Sequence, residues 1–157
     1  MKLYPGIAEK YPRIQHVVEH RMEQKKTTPK WEQTVTEKLT MVYAGPNQVV
    51  WEFPVEQIHC NRDGVMQSGC VATLVDVCSN FAVFTHDGKH QWKHFGVSTT
   101  LKVSYLRGLQ PNQTARVECD LERLGRLTAN IGIRIYDQEG VLCYTGNHAK
   151  FSVDSRY

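Results

Sequence analysis

The sequence predicts an α+β fold in which one antiparallel sheet wraps around a single central helix. Three observations carry that expectation. The stretch "QSGCVATLVDVCSNF" (67–81) opens abruptly on small residues and then runs almost unbroken through apolar and small ones, with no proline or glycine from Cys70 to Thr85. Two extended stretches precede it and four follow. Short turn signals link those stretches, which implies antiparallel neighbours packed on one helix.

In chain order, residues 7–26 read as a mostly exposed amphipathic helix with Ile7, Ile14, Val17, Val18 and Met22 apolar and Pro12 near its start. "TTPK" (27–30) breaks it, so residues 1–30 are expected as a helical extension and 31–157 as the main domain. "QTVTEKLTMVYAG" and "QVVWEFPVEQI" then read as strands joined at Gly45-Pro46-Asn47, with Pro54 marking an edge or a strand end. The loop "HCNRDGVMQSG" leads into a helix from Gly69 to about Thr85, and "HDGKHQ" follows as a loop. Four strands complete the chain: "HFGVSTTLKVSYLRG", "QTARVECDLERLG", "RLTANIGIRIYDQEG" and "VLCYTGNHAKFSVD". In the first of them Val97, Thr99, Leu101, Val103 and Tyr105 are expected on one face.

The totals narrow the function classes. At 157 residues the chain is expected to be one domain with a real core. The net charge is +3, with seven Lys/Arg against three Glu in residues 1–30, too little and too local for a nucleic-acid protein. No apolar run is expected to reach the ~18 residues of a membrane span. The N-terminal stretch lacks a signal-peptide core, so the cytoplasm is the expected compartment, with the mitochondrial matrix as the alternative. Five cysteines (60, 70, 78, 119, 143) without CxxC spacing read as reduced thiols rather than disulfides or a zinc site.

Asp76 interrupts the apolar run. On a helical wheel it shares a stripe with Gly69, Ala72, Thr73, Ser79, Asn80 and Val83. A solvent-facing stripe is the simplest account. Yet these residues are small rather than the Lys/Glu mixture of a solvated face, which suits close approach of another backbone. At the start of the same helix, the N–H groups of Ser68, Gly69 and Cys70 would be unpaired donors suited to an oxyanion, while Ser68 doubles as a helix cap. Asp76 lies eight residues beyond Ser68, ~12 Å along the axis, so one small carbonyl meets both only if a second chain supplies one of them.

The motifs "NRDGVMQSGCVATLVD" (61–76), "GVSTTLKVSYL" (96–106), "ERLGRLT" (122–128) and "TGNHAKF" (145–151) resemble those of the hotdog-fold acyl-CoA thioesterases, in the PaaI-type branch that includes acyl-CoA thioesterase 13-like proteins, over roughly residues 35–153. The resemblance implies hydrolysis of acyl-CoA in fatty acid metabolism, by a homodimer or homotetramer, with no cofactor beyond the CoA of the substrate and no metal. It implies Asp76 as the carboxylate acting on water or as nucleophile, Asn61 as a holder of the thioester carbonyl or the water, Ser68 and Gly69 as backbone donors, and Ser98 as the hydroxyl that positions the water. It further implies that Tyr105, Leu106, Arg107, Arg123, Gly125, Arg126 and Thr128 border the CoA moiety. Where the family has His-Gly-Gly this chain has Gln67-Ser68-Gly69, so a backbone donor survives but nothing at position 67 titrates. That departure leaves a non-catalytic module binding acyl-CoA or a related thioester as the alternative.

Rival signals are thinner. "HVVEH" (16–20) matches an inverted zinc-peptidase motif, but no second helix is expected to supply a third ligand. "HDGKHQWKH" (86–94) places three histidines on a loop without a carboxylate scaffold beyond Asp87, and Cys60 has only His59 beside it. A dehydratase of the same fold is disfavoured by the expected lack of a His/Asp pair.

Overall fold

In a computed structural model, residues 1–27 and 30–154 are described, the side chains of 24–27 excepted. The elements are β1 (Lys2–Leu3), α1 (Ile7–Lys10), α2 (Pro12–Thr27), α3 (Gln33–Thr36), β2 (Thr40–Gly45), β3 (Gln48–Pro54), α4 (Ser68–Asn80), β4 (Val97–Tyr105), β5 (Thr114–Leu124), β6 (Thr128–Tyr136) and β7 (Leu142–Phe151). The strands form one sheet in the order β1-β2-β3-β5-β6-β7-β4, antiparallel throughout except for the short parallel pair β1–β2. The sheet wraps around α4, which is the hotdog arrangement.

α4 forms because a proline-free run of small and apolar residues follows Gln67, whose extended backbone (φ −63°, ψ 141°) makes it the helix cap. Ser68 is therefore the first helical residue and not the cap expected of it. After Asn80 the helix tightens into a 3-10 turn, Phe81–Thr85. Val71, Leu74, Val75, Cys78 and Phe81 are fully enclosed, each contributing at most ~1.5–3 kcal/mol by transfer out of water. The Ser68–Thr85 segment does reach the length and apolarity of a membrane span, contrary to expectation, but 67% of it is buried inside the domain, where an apolar core helix belongs.

α4 lies against β7 at a close approach. A Cβ at Gly146 would meet Val75 Cγ1 at 2.9 Å and the Lys102 carbonyl oxygen at 3.3 Å. The far end of α4 is pinned by aromatic contacts, with Phe81 edge-on to Trp51 (5.0 Å between centroids) and to Phe95 (5.0 Å).

Several local expectations are corrected. The N-terminal helix divides at Tyr11, where Pro12 starts a second helix without needing an N–H partner. Ile14 and Val18 of α2 are buried in the core. The break expected at 27–30 begins where α2 ends, and its residues 28 and 29 lie outside the described ones. Residues 33–36 form a helical turn rather than the start of a strand. β4 does not pair with β5, its successor in sequence, but crosses to the outer side of β7. The link 106–113 makes that crossing, tied down by Met66 N–H to the Leu109 carbonyl (2.7 Å) and Leu109 N–H to the Tyr144 hydroxyl (2.9 Å). β4 carries a bulge between Ser98 and Thr100 that leaves Thr99 unpaired. Across the ladder Ser98 faces Lys150, Leu101 faces His148, Val103 faces Gly146 and Tyr105 faces Tyr144. The extra residue reverses the alternation, so Ser98, not Thr99, joins Leu101, Val103 and Tyr105 on the helix side.

The Gly146–Val75 contact sets an expectation for stability. Gly146→Ala should destabilise the protein by ~1–3 kcal/mol through overpacking, and Val75→Ala should recover part of that loss. Urea denaturation of the two single variants and the pair measures both.

Candidate active site

Asp76 sits on the side of α4 that faces β7 and β4, with its side chain 46% exposed. Beside it, and absent from the sequence-derived candidates, is His148 of β7, whose side chain is fully enclosed. Its Nδ1 lies 2.7 Å from Ser79 Oγ and its Nε2 lies 2.8 Å from Ser98 Oγ and 3.7 Å from Asp76 Oδ1.

The hydrogen-bond chain assigns the protons. Ser79 donates its single hydroxyl proton to the Val75 carbonyl (2.6 Å), so its oxygen must accept from His148 Nδ1–H. Burial, followed by the charge of Lys150, pushes the His148 pKa down to about 4, which keeps the ring neutral at pH 7. Nε2 is then an acceptor and takes the Ser98 hydroxyl proton. Ser98 is left with an oxygen free to accept, and Asp76 receives no proton from the ring. Lys150 lies on the same side; burial lowers its pKa to about 8, against the opposing pull of Asp76. The expected lack of a His/Asp pair is thus corrected. The enclosed, neutral imidazole nevertheless has no surface with which to exchange protons with a substrate, which leaves it orienting Ser98.

The other end of α4 carries donors. Val71 N–H is the first to bond back, to the Gln67 carbonyl (3.1 Å). The N–H groups of Ser68, Gly69 and Cys70 have no acceptor among the described residues. Ser68 has no positive φ, so serine in place of glycine imposes no strain, and open space lies over Gly69. Asn61 stands next to this turn: its Oδ1 accepts from Asp63 N–H (3.0 Å) and Val65 N–H (3.2 Å), which fixes the carboxamide and turns its NH2 outward. Asn61, Gln67, Ser68, Tyr105, Leu106 and Arg107 border one cleft of about 320 Å³. Tyr105 closes its rim by donating to the Ser68 carbonyl (3.1 Å).

The structure therefore gathers the candidates into separate groups. Asp76 and Ser98 meet at His148. Asn61, Ser68, Gly69, Tyr105, Leu106 and Arg107 meet at the start of α4. Arg123, Gly125, Arg126 and Thr128 lie on the β5–β6 hairpin, where Thr128 pairs with Phe151 and Phe151 with Val97. That is the opposite end of the sheet from Tyr105, ~23 Å away along β7. Gly125 uses its backbone within the hairpin, accepting from Trp92 Nε1 (2.8 Å) and donating to the Thr128 carbonyl (2.8 Å).

The rival signals resolve into structural roles. Glu19 accepts from Gln15 (2.7 Å), and the His16 and His20 rings stack on each other. Cys60 donates to the Glu56 carbonyl and burial pushes its thiol pKa up, which disfavours a nucleophile. His59 is held between Glu56 N–H and the Thr34 carbonyl. All five cysteines are free thiols.

Comparison with known proteins bears on the family and the fold. Residues 63–144 match the model of the family described as the thioesterase superfamily. Acyl-coenzyme A thioesterase 13 of Mus musculus is 29% identical over 118 residues, covering 74% of this chain and 81% of that protein. The crystal structure of zebra fish thioesterase superfamily member 2 superposes with a TM-score of 0.74 at 25% identity, covering 87% of this chain and 96% of that one. A hypothetical thioesterase from Streptococcus pneumoniae, solved with coenzyme A, superposes with a TM-score of 0.68 at 20% identity over 77% of this chain and 90% of that one. With its sheet, its central helix and more than half of its length matched, the chain belongs to the thioesterase superfamily.

Proposed function

We propose that the chain hydrolyses acyl-CoA thioesters to free acid and CoA in a site shared between two copies. The observation that carries this reading is the division of the machinery. The carboxylate, Ser98 and His148 lie toward one end of α4 and the carbonyl-binding donors lie at the other, ~12 Å apart. β4 is an edge strand with partners on one side only, and its helix-facing side is uncovered: Leu101 is 39% and Tyr105 50% exposed. Antiparallel pairing of β4 with a second β4 about a two-fold axis near Leu101 sets the Ser98 end of one strand beside the Tyr105 end of the other. Asp76 of one copy then faces the Ser68–Cys70 donors and Asn61 of its neighbour. The same operation brings the Arg123–Thr128 hairpin of one copy toward Tyr105, Leu106 and Arg107 of the other, where its arginines suit CoA phosphates.

The chemistry follows from these placements. Helix-terminal N–H groups and the Asn61 NH2 hold the thioester carbonyl and stabilise the oxyanion, ~3 kcal/mol for one good donor. Ser98 Oγ and the Asp76 carboxylate accept the two protons of a water, and Asp76 takes one as that water attacks the carbonyl carbon. Collapse of the tetrahedral intermediate breaks the C–S bond, Asp76 returns its proton to the departing CoA thiolate, and the free acid is left. The name of the mouse relative, acyl-coenzyme A thioesterase 13, supports the same reading.

Asp76→Asn is expected to lower thiol release from acyl-CoA by ~10²-fold or more while CoA affinity is kept; unchanged turnover would remove Asp76 from the mechanism. Asp76→Asn and Asn61→Ala, each inactive alone, should together regain roughly a quarter of wild-type activity after subunit exchange, because half of the mixed dimers' sites carry neither substitution. A mixture that stays inactive would place the whole site in one chain. The His148 ring sets a pH dependence. Its folded pKa of about 4 lies below the ordinary 6.5, so the unfolded chain binds more protons between those values and stability falls as pH drops through that window, by up to ~3 kcal/mol. His148→Gln should flatten that part of the stability curve, read by urea denaturation from pH 7 to pH 4.

A further inference from the structure

A cavity of about 650 Å³ lies beneath α2, away from the groups described above. Val17 and Met22 of α2, Thr36 of α3, and Phe84 and Phe95 from the far side line it, and its wall also carries Arg21, Lys30 and Lys93 against Glu32 and Glu37. Its volume falls in the range of sites that enclose a small organic ligand, ~300–1,000 Å³. Phe95 and Phe84 stack at 4.7 Å, and Phe95 meets Phe81, which follows the end of α4. The aromatic floor therefore begins just over one helical turn beyond Asp76.

Arg21 joins the cavity to the carboxylate. Its guanidinium lies over the Phe81 ring (5.7 Å) and the Phe95 ring (5.5 Å), with Asp76 and Glu32 both within electrostatic reach. Neither ring gives any of the guanidinium's five N–H donors a carbonyl, carboxylate or hydroxyl to bond. No hydrogen-bond acceptor or ion-pair partner meets those donors among the described residues, although the side chain is largely withdrawn from water. A largely desolvated guanidinium without a hydrogen-bonded partner, in a wall where Arg21, Lys30 and Lys93 outnumber Glu32 and Glu37, is a recognition element for a planar anion. A plain hydrocarbon tail would fill the chamber and leave the fork unanswered.

We infer that this cavity takes the acyl group of the substrate and that Arg21 selects acyl chains ending in a carboxylate. The assignment deepens the thioesterase reading and rests on it for the direction in which the acyl group leaves Asp76. The chain reaches the cavity by passing the Phe81 ring, and its terminal carboxylate meets the Arg21 fork in place of water. Arg21 is thus a specificity residue contributed by the N-terminal segment, outside the residues matched to the family.

The test uses S-alkyl thioethers of CoA, which cannot be hydrolysed, in pairs from hexyl to dodecyl with and without a terminal carboxylate, and reads Kd by calorimetry. The full chain should bind at least one carboxylate-bearing thioether roughly tenfold or more tighter than its plain partner. Arg21→Met should erase that preference, and Arg21→Lys should keep only part of it, since lysine retains the charge without the fork. Thermal melting of both variants identifies any loss that is only unfolding, and the preference ratio of whichever variant remains folded decides the matter. Equal affinities across every pair in the wild type would overturn the assignment, as would a preference that survives Arg21→Met. Thiol release from the matching thioesters separates the two readings: release without preference sinks the cavity assignment alone, and preference without release sinks hydrolysis while the cavity assignment stands.

Discussion

The seating of α4 on β7 is the constraint from which the rest follows. A helix this apolar must be enclosed, and Gly146 permits the enclosure by letting Val75 come within contact distance of the strand backbone. Once the helix is that close, Ser79 can reach His148, and His148 can reach Ser98 across the next ladder. Ser79 and both ring nitrogens of His148 each have a partner, so they survive burial where an isolated hydroxyl and imidazole would be costly. Packing and chemistry are consequently set by one contact, with Asp76 lying at its edge where the helix emerges from under the sheet.

That seating also explains why the polar machinery is divided. The donors at the start of α4 exist because helices leave their first N–H groups unpaired, and the carboxylate lies two turns on because only there does the helix face the β4–β7 ladder. Neither position can be moved toward the other without changing the helix itself. In the proposed reading, bringing the two together is left to assembly, and the uncovered side of β4 is where a second copy would dock.

Much of this was legible in the sequence. The apolar run, the turn signals and the strand alternation convey the sheet and its central helix, and the motifs around Asn61, Ser68, Asp76 and Ser98 point to the chemistry proposed above. Other features were hidden for identifiable reasons. Strict alternation puts Ser98 on the opposite face from Leu101; only the unpaired Thr99 reverses it, and a bulge has no period to read. His148 sits in an alternating strand beside Asn147 and Lys150, and its role depends on β4 crossing to the far side of β7, which short-turn logic argued against. The one signal available was the "GNHAKF" run itself, with two ionisable side chains on the inward face of a strand otherwise suited to burial. Arg21 was read as part of an exposed helix because its helix has a weak apolar stripe, and the rings it covers come from distant segments.

The two residues of β1 matter out of proportion to their length. A sheet with two bare margins can recruit copies at each of them and grow without limit. Here Lys2 and Leu3 lie along the outer side of β2, and Pro5 follows almost at once, offering no continuous ladder to a newcomer. Only β4 stays receptive. In the proposed assembly, two such margins meeting about a two-fold axis would each consume the other, so strand pairing there would end at a pair rather than run on into an endless series.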